Sequence, residues 1–162
     1  GGGVAFTTLR SSIVYMLHPE NRPRFKDIIV VYGARSPGLL LYKDELAAWE
    51  RRDDIQMHIT VDATTDPNWK YHVGFVPAVT KQKITSAENA VAIVCGPPVM
   101  IKFTQPVLEE LGFPPERIIL SLDMRMKCGI GMCGRCNIGD KFVCKDGPVF
   151  SLAQLKQLPP EY

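Results

Sequence analysis

The chain has 162 residues, 46% hydrophobic and 22% charged, a balance that favours one folded α/β-sized domain with a small appended module over disorder. Its 19 basic and 17 acidic residues leave a formal net charge of +2 without the basic stripe that a phosphate backbone needs, so nucleic acid is not an expected partner. No run approaches the roughly 20 apolar residues of a membrane span and no charged-then-apolar leader is visible, so a cytoplasmic protein is expected, in which clustered thiols bind metal more often than they pair.

The chain opens on Gly1-Gly2-Gly3, and residues 7–17 follow with Leu9, Ile13 and Leu17 at helical spacing. A glycine loop of this kind takes its register from a strand before it, so an upstream strand, and a longer parent chain, is expected. Residues 27–35, "DIIVVYGAR", form a β-branched run ending at a glycine, as in a buried parallel strand. A helix is predicted over 42–52, where Arg51 and Arg52 complement its C-terminal dipole, and a strand over 54–62. Residues 63–72 read as a loop around Asp66-Pro67-Asn68, with a short helix in 73–82. The clearest strand signal is 89–98, followed by a helix over 98–112 that Gly112 ends and Pro106 should kink. A strand at 117–122 completes the alternation, and 151–162 supply a last turn or two of helix. Strand and helix alternate as in βαβ units, which predicts an α/β fold with a parallel sheet and helices on both faces over residues 1–122, and a small Cys-rich module over 123–162.

Four of the five cysteines crowd into that module: Cys128, Cys133, Cys136 and Cys144, spaced C-x4-C-x2-C-x7-C. The first three match the plant-type ferredoxin spacing for a [2Fe–2S] cluster, with the fourth arriving early. Gly129, Gly131, Gly134 and Gly139 allow a tight wrap in which backbone amides approach sulfur, and Lys127, Arg135, Lys141 and Lys145 can offset the charge of four thiolates. Met124, Met126 and Met132 are expected to form an apolar shell limiting water access. A tetrahedral zinc site also uses four thiolates, and would make the protein a non-catalytic, zinc-stapled binding module that docks onto a larger assembly. Disulfides are the remaining alternative. His18, His58 and His72 show no ligand spacing, and Trp49 and Trp69 read as packing residues.

Two stretches fit a nucleotide. The opening glycines before a helix can cradle an anion with free amides and a positive dipole end. Cys95-Gly96-Pro97-Pro98 lies at the carboxyl end of a strand, where open α/β sheets place ligands, although a buried structural cysteine before a Pro-started helix fits the same residues.

In order, "GGGVAFTTLRS", "VYGARSPGLLLYKDEL", "VDATTDPNWKYHVGFV", "CGPPVM" and "SLDMRMKCGIGMCGRC" resemble the NAD(P)-binding half of the ferredoxin–NADP reductase superfamily. The likeness is to the branch of hydrogenase gamma subunits, dihydroorotate dehydrogenase electron-transfer subunits and anaerobic sulfite reductase B subunits. The resemblance implies a ferredoxin reductase-like doubly wound sheet in which Gly2, Gly3, Val4, Gly96, Pro97, Pro98 and Met100 bind cofactor. Cys95 would then lie close to the hydride-transfer centre as the catalytic residue. It also implies an upstream β-barrel holding FAD, for which this chain has no room, and a redox partner subunit of hydrogenase, dihydroorotate dehydrogenase or sulfite reductase type. Ala5 and Thr8 depart from the family's Gly-Gly-x-Gly-x-x-Pro loop. Asp62 resembles the acidic residue beside the adenine ribose, which favours NAD(H) over NADP(H) because a carboxylate repels a 2′-phosphate, while Arg35 or Lys70 could serve one. A nicotinamide gives up two electrons together and a cluster takes them singly, so a flavin between them is expected on chemistry alone.

Overall fold

The computed structural model describes residues 1–159, so the end of the predicted terminal segment, residues 160–162, lies outside the described residues. Helix α1 (Phe6–Leu17) precedes β1 (Ile29–Ala34), α2 (Lys43–Glu50), β2 (Gln56–Val61) and the two-residue β3 (His72–Val73). Then come α3 (Val76–Lys83), β4 (Ala92–Val94), α4 (Pro98–Glu110) and β5 (Ile118–Ser121). The Cys-rich stretch adds β6 (Asn137–Ile138), β7 (Lys141–Phe142), α5 (Val143–Asp146), β8 (Val149–Ser151) and α6 (Leu152–Leu155).

Strands β1, β2 and β3 are parallel neighbours in one sheet, while β4 and β5 are parallel in a second that β8 joins antiparallel to β5. Gly1 and Gly2 stitch the two together. The Gly1 nitrogen donates to the Val31 carbonyl at 2.7 Å and the Gly33 N–H donates to the Gly1 carbonyl at 3.0 Å. On the other side the Gly2 N–H donates to the Cys95 carbonyl at 3.0 Å. The opening glycines therefore occupy a strand position between β1 and β4, and the loop that follows emerges at the carboxyl edge of the sheet.

Period-two alternation assigns the helices to faces. Tyr32 stacks on Phe6 of α1, with ring centroids 3.9 Å apart, whereas a side chain on the adjacent Gly33 would run into Val76 of α3. Consecutive strand residues point to opposite faces, so α1 and α3 cover opposite sides of β1. The expected two-sided cover holds there, and it is thinner at β4. Val94 is buried with Ile101 and Leu108 of α4, while Ile93 on the other face is 44% exposed. The crossover back to β4 puts both α3 and α4 on one face, while Ile93 on the other face shares a shallow pocket with Ser11, Ser12, Tyr15 and Met16 of α1.

Several predicted spans contract. The run 89–98 yields only three strand residues, because Cys95-Gly96-Pro97 turns and Pro98 already starts α4 with its preset φ. Helix α4 runs through the exposed Pro106, giving up one backbone bond to do so. The Cys-rich stretch is not a free appendage, since Cys136, Ile138, Val143, Leu152 and Leu155 share one core with Ile101, Leu108, Ile118 and Leu120. Its last helix has a full capping box, with Ser151 and Gln154 satisfying each other's backbone N–H groups.

Candidate functional site

A cleft of about 630 Å³ opens at the carboxyl edge of the sheet. One wall is the glycine loop, Gly2 to Ala5, and the turn Cys95 to Pro98; the opposite wall is Ser121 to Met124, the segment that leads into the cysteines. Gly2, Gly3, Val4, Cys95, Gly96, Pro97 and Pro98 thus meet at one cavity. The helices that start there, α1 and α4, have no side-chain cap; the first N–H of α1, that of Phe6, bonds back to Gly3, and α4 starts on Pro98, which has none.

Met100 does not line the cleft. It packs behind it: a Cβ on Gly96 would lie 2.2 Å from the Met100 methyl, and one on Gly2 would lie 2.6 Å from its sulfur. The Met100 thioether fills the space that side chains on the two glycines would need. Gly3 is glycine for a different reason, its φ of +57°, with nothing within 4 Å of a built Cβ. Cys95 is buried, with its carbonyl held by Gly2.

Asp62 stands outside the cleft, exposed at the end of β2, where its N–H donates to the Ala34 carbonyl at 3.0 Å. Arg35 ends the neighbouring strand and is also exposed. Lys70, the other cation considered for a phosphate, is engaged by Glu50 at 3.2 Å and lies over the Tyr71 ring at 4.7 Å. Lys102, Gln105 and Asp123 line the cleft and were not singled out in the sequence. The signal for two of them was there, because Pro98, Ile101, Lys102 and Gln105 share one face of a 3.6-residue helix.

The four clustered cysteines form two pairs. Cys133 is a neighbour of Cys128, and Cys136 of Cys144. Cys136 is buried, Cys128 and Cys144 are half-buried and Cys133 is exposed. The Cys128 sulfur accepts from the amides of Ile130 at 3.5 Å, Met132 at 3.3 Å and Cys133 at 3.4 Å, and these donors pull its thiol down to about 6. The Gly131 amide reaches Cys144 at 3.3 Å, but the neighbouring Cys136 thiol and burial hold the Cys144 thiol up. Gly129, Gly131, Gly134 and Gly139 all take positive φ, which folds the loop so that amides face sulfur. Among the described residues, no three His, Cys, Asp or Glu side chains converge as they would on a single metal ion. Four thiols with backbone amides turned onto sulfur fit the thiolate ligand set that an iron–sulfur cluster needs.

The expected methionine shell is corrected by the structure at two of its three members, Met124 being half-buried against the core. Met132 is 79% exposed and Met126 39% exposed, because the loop that carries them turns its sulfurs and amides inward and its side chains out. Lys141 pairs with Asp140 at 3.4 Å, while the stem of Lys145 crosses Gly131. His58 and His72, separate in sequence, meet edge-on with ring centroids 5.9 Å apart because β3 aligns beside β2.

Residues 1–106 match the oxidoreductase NAD-binding domain, and residues 123–156 match the iron–sulfur cluster binding domain of dihydroorotate dehydrogenase B. Sulfhydrogenase 1 subunit gamma of Pyrococcus furiosus is 35% identical over 162 residues, covering 97% of this chain and 55% of that protein. A probable dihydroorotate dehydrogenase B (NAD(+)) electron transfer subunit of Thermococcus kodakarensis is 35% identical, covering 93% of this chain and 55% of that protein. The chain spans about half the length of these curated relatives. Among solved structures, that of an NADH-dependent reduced ferredoxin-NADP oxidoreductase superposes with a TM-score of 0.66 at 25% identity, over 98% of this chain and 52% of its own. The cytochrome b5 reductase domain of Ulva prolifera nitrate reductase superposes with a TM-score of 0.60 at 28% identity, over 70% of this chain and 43% of its own.

Proposed function

Because the chain belongs to the oxidoreductase NAD-binding domain family and carries an iron–sulfur cluster binding domain beside it, we propose that it relays electrons between NAD(H), a flavin and a [2Fe–2S] cluster. The observation that carries this reading is the cleft itself, whose one wall is the glycine loop and Cys-Gly-Pro-Pro turn and whose other wall runs into the cysteine loop. A flavin supplies the step between two-electron hydride chemistry and one-electron transfer. Residues 1–122 are the nucleotide-binding unit and residues 123–162 the cluster-binding unit. The division is one of chemistry, since the two share a core.

In this reading Gly2, Gly3 and Val4 present amides to the nucleotide, and Gly96, Pro97 and Pro98 form a rigid turn against the nicotinamide. Cys95 lies beside the hydride-transfer position. Asp62 selects NAD(H) over NADP(H) by accepting from the adenosine ribose, a reading supported by the engagement of Lys70 with Glu50. Cys128, Cys133, Cys136 and Cys144 would hold the cluster, which would supply one-electron transfer. FAD is held chiefly by a region outside this chain, and the electrons pass to or from a redox partner subunit of the kind that hydrogenase gamma and dihydroorotate dehydrogenase electron-transfer subunits serve. A cluster held by free thiolates calls for a reducing compartment, the cytoplasm. Among the described residues no helix is long and apolar enough to cross a membrane.

Anaerobic loading with iron and sulfide tests the reading. The expected product is brown, holds two irons and two sulfides per chain, and gives a paramagnetic signal on one-electron reduction. It binds NADH yet reduces dyes with NADH only when flavin is added. A colourless protein with one zinc per chain supports the docking module instead, and flavin-free NADH oxidation defeats the relay.

A further inference from the structure

Tyr32 is the largest fully buried side chain of the protein, and its hydroxyl lies directly beneath the glycine loop. That hydroxyl accepts from the Leu41 N–H at 3.1 Å, which commits one of its lone pairs. Its proton points to the Gly3 carbonyl, 3.4 Å away. The same carbonyl accepts from the Phe6 N–H, so both of its acceptor positions are taken from the inner side of the loop.

The consequence follows from peptide geometry. In a trans peptide the C=O of one residue and the N–H of the next point in opposite directions. With the Gly3 carbonyl drawn inward, the Val4 N–H is directed outward, and Val4 lines the cleft. Gly3 sits at φ +57° with open space where a Cβ would be, so neither sterics nor a side chain prevents this peptide from turning over. Turned over, it would present a carbonyl oxygen where an anion is to bind.

We propose that the Tyr32 hydroxyl is a positioning residue for the nucleotide: it locks the Gly3–Val4 peptide with its N–H toward the cleft, so that the loop meets a pyrophosphate with donors and not with an oxygen. The inference rests on the nucleotide-binding reading above. Through Leu41 the lock also ties the glycine loop to the 35–42 segment that follows β1. Phe6, stacked on the Tyr32 ring at 15° between planes, fixes where the hydroxyl can point.

Tyr32→Phe keeps the ring and its stack and removes only the hydroxyl. With the full, cluster-loaded chain, titrations with ADP-ribose and NADH should show affinity falling about three- to tenfold, the scale of one hydrogen bond. Adenosine, which lacks the pyrophosphate, should bind as it does to the parent, and the cluster's visible absorption should not change. Gly3→Ala meets no neighbour and acts only on backbone preference, so it should produce the same selective loss and serves if Tyr32→Phe does not fold. Unchanged ADP-ribose affinity in folded Tyr32→Phe overturns the lock whatever Gly3→Ala does, as does an equal loss for adenosine. If the parent chain binds neither ADP-ribose nor NADH, the nucleotide reading itself has failed, and that result is separate from any difference between variants.

Discussion

The sheet body and the cysteine loop solve the problem of holding a backbone in place by different means. Around β1 and β2, buried Phe6, Ile13, Tyr32, Leu46, Ile59 and Val61 pack from regular elements, and each element satisfies its own backbone groups. From Asp123 to Cys136 no helix or strand is present, the large side chains point outward, and the polar bonds that organise the loop end largely on sulfur. The body is held by burial that is complete without a ligand. The loop is shaped around a group that its thiols would share, and its inner anchor is Cys136 with Ile138 and Val143 beneath it. A relay has reason to combine the two, because a rigid edge fixes where a nucleotide sits while a metal-dependent loop wraps its redox centre closely.

The contrast is broken most severely by removing a ligand. Cys136→Ala should abolish visible absorption and stoichiometric iron, since three thiolates cannot complete two tetrahedral sites. Amide exchange should then lose its protection across residues 123–136 while α1, β1 and β2 keep theirs. Equal protection of the loop in loaded and metal-free protein would show that it is pre-formed and that the proposed division of labour is wrong.

That asymmetry also governs what was legible beforehand. Period and β-branching located β1, β2, β5 and the helices α1, α2 and α4, because those signals reflect burial of a face and burial is what holds them. The spacing of Cys128, Cys133 and Cys136 and the four glycines announced a wrap, because metal geometry leaves its trace in the sequence. Pairings between distant residues left none. Strand β3 is two residues long, β8 returns to β5 across the whole cysteine loop and the short β6, β7 and α5, and the far wall of the cleft at Asp123 and Met124 lies at the start of that excursion. The methionines were misread for a related reason: composition near a cysteine does not say which side of the loop faces in. Met100 follows the Cys-Gly-Pro-Pro turn in sequence, and its thioether fills the space behind Gly96.

A smaller effect sharpens the same comparison from the body's side. Gly33 lies in the middle of β1 with a normal backbone, but a Cβ there would stand 2.3 Å from a methyl of Val76 and 3.2 Å from a methyl of Thr60. Gly33→Ala should therefore overpack the junction of β1 and α3 and cost about 1–3 kcal/mol. For a chain of this size that lowers the midpoint of thermal unfolding by about 2–4 °C per kcal/mol. Iron content and the visible spectrum of the folded, loaded variant should match the parent's, because the cysteine loop touches neither residue. A loss of cluster in step with the loss of stability would mean that the two regions fold as one unit.

The smallest expected effect concerns pH and again separates the regions. Burial, then the charges of Lys83 and His72, hold the His58 imidazole below its ordinary value. The folded state therefore prefers His58 neutral and binds fewer protons than the unfolded chain. The resulting stability is present above the unfolded pKa near 6.5 and is lost as pH falls through that value toward the lower folded one. Lys83 is a cation facing His58, so protonating His58 places like charges together at the β3 edge. Between pH 7.5 and 5.5 the parent should lose about 1–2 °C more of its unfolding midpoint than His58→Gln, whose amide does not titrate. Exchange protection should weaken first at His72 and Val73, the shortest and most peripheral strand of the sheet, before any change at β1. If the two proteins instead fall in parallel with pH, the acid sensitivity belongs to groups outside the β2–β3 edge, and the body is more uniform than its packing implies.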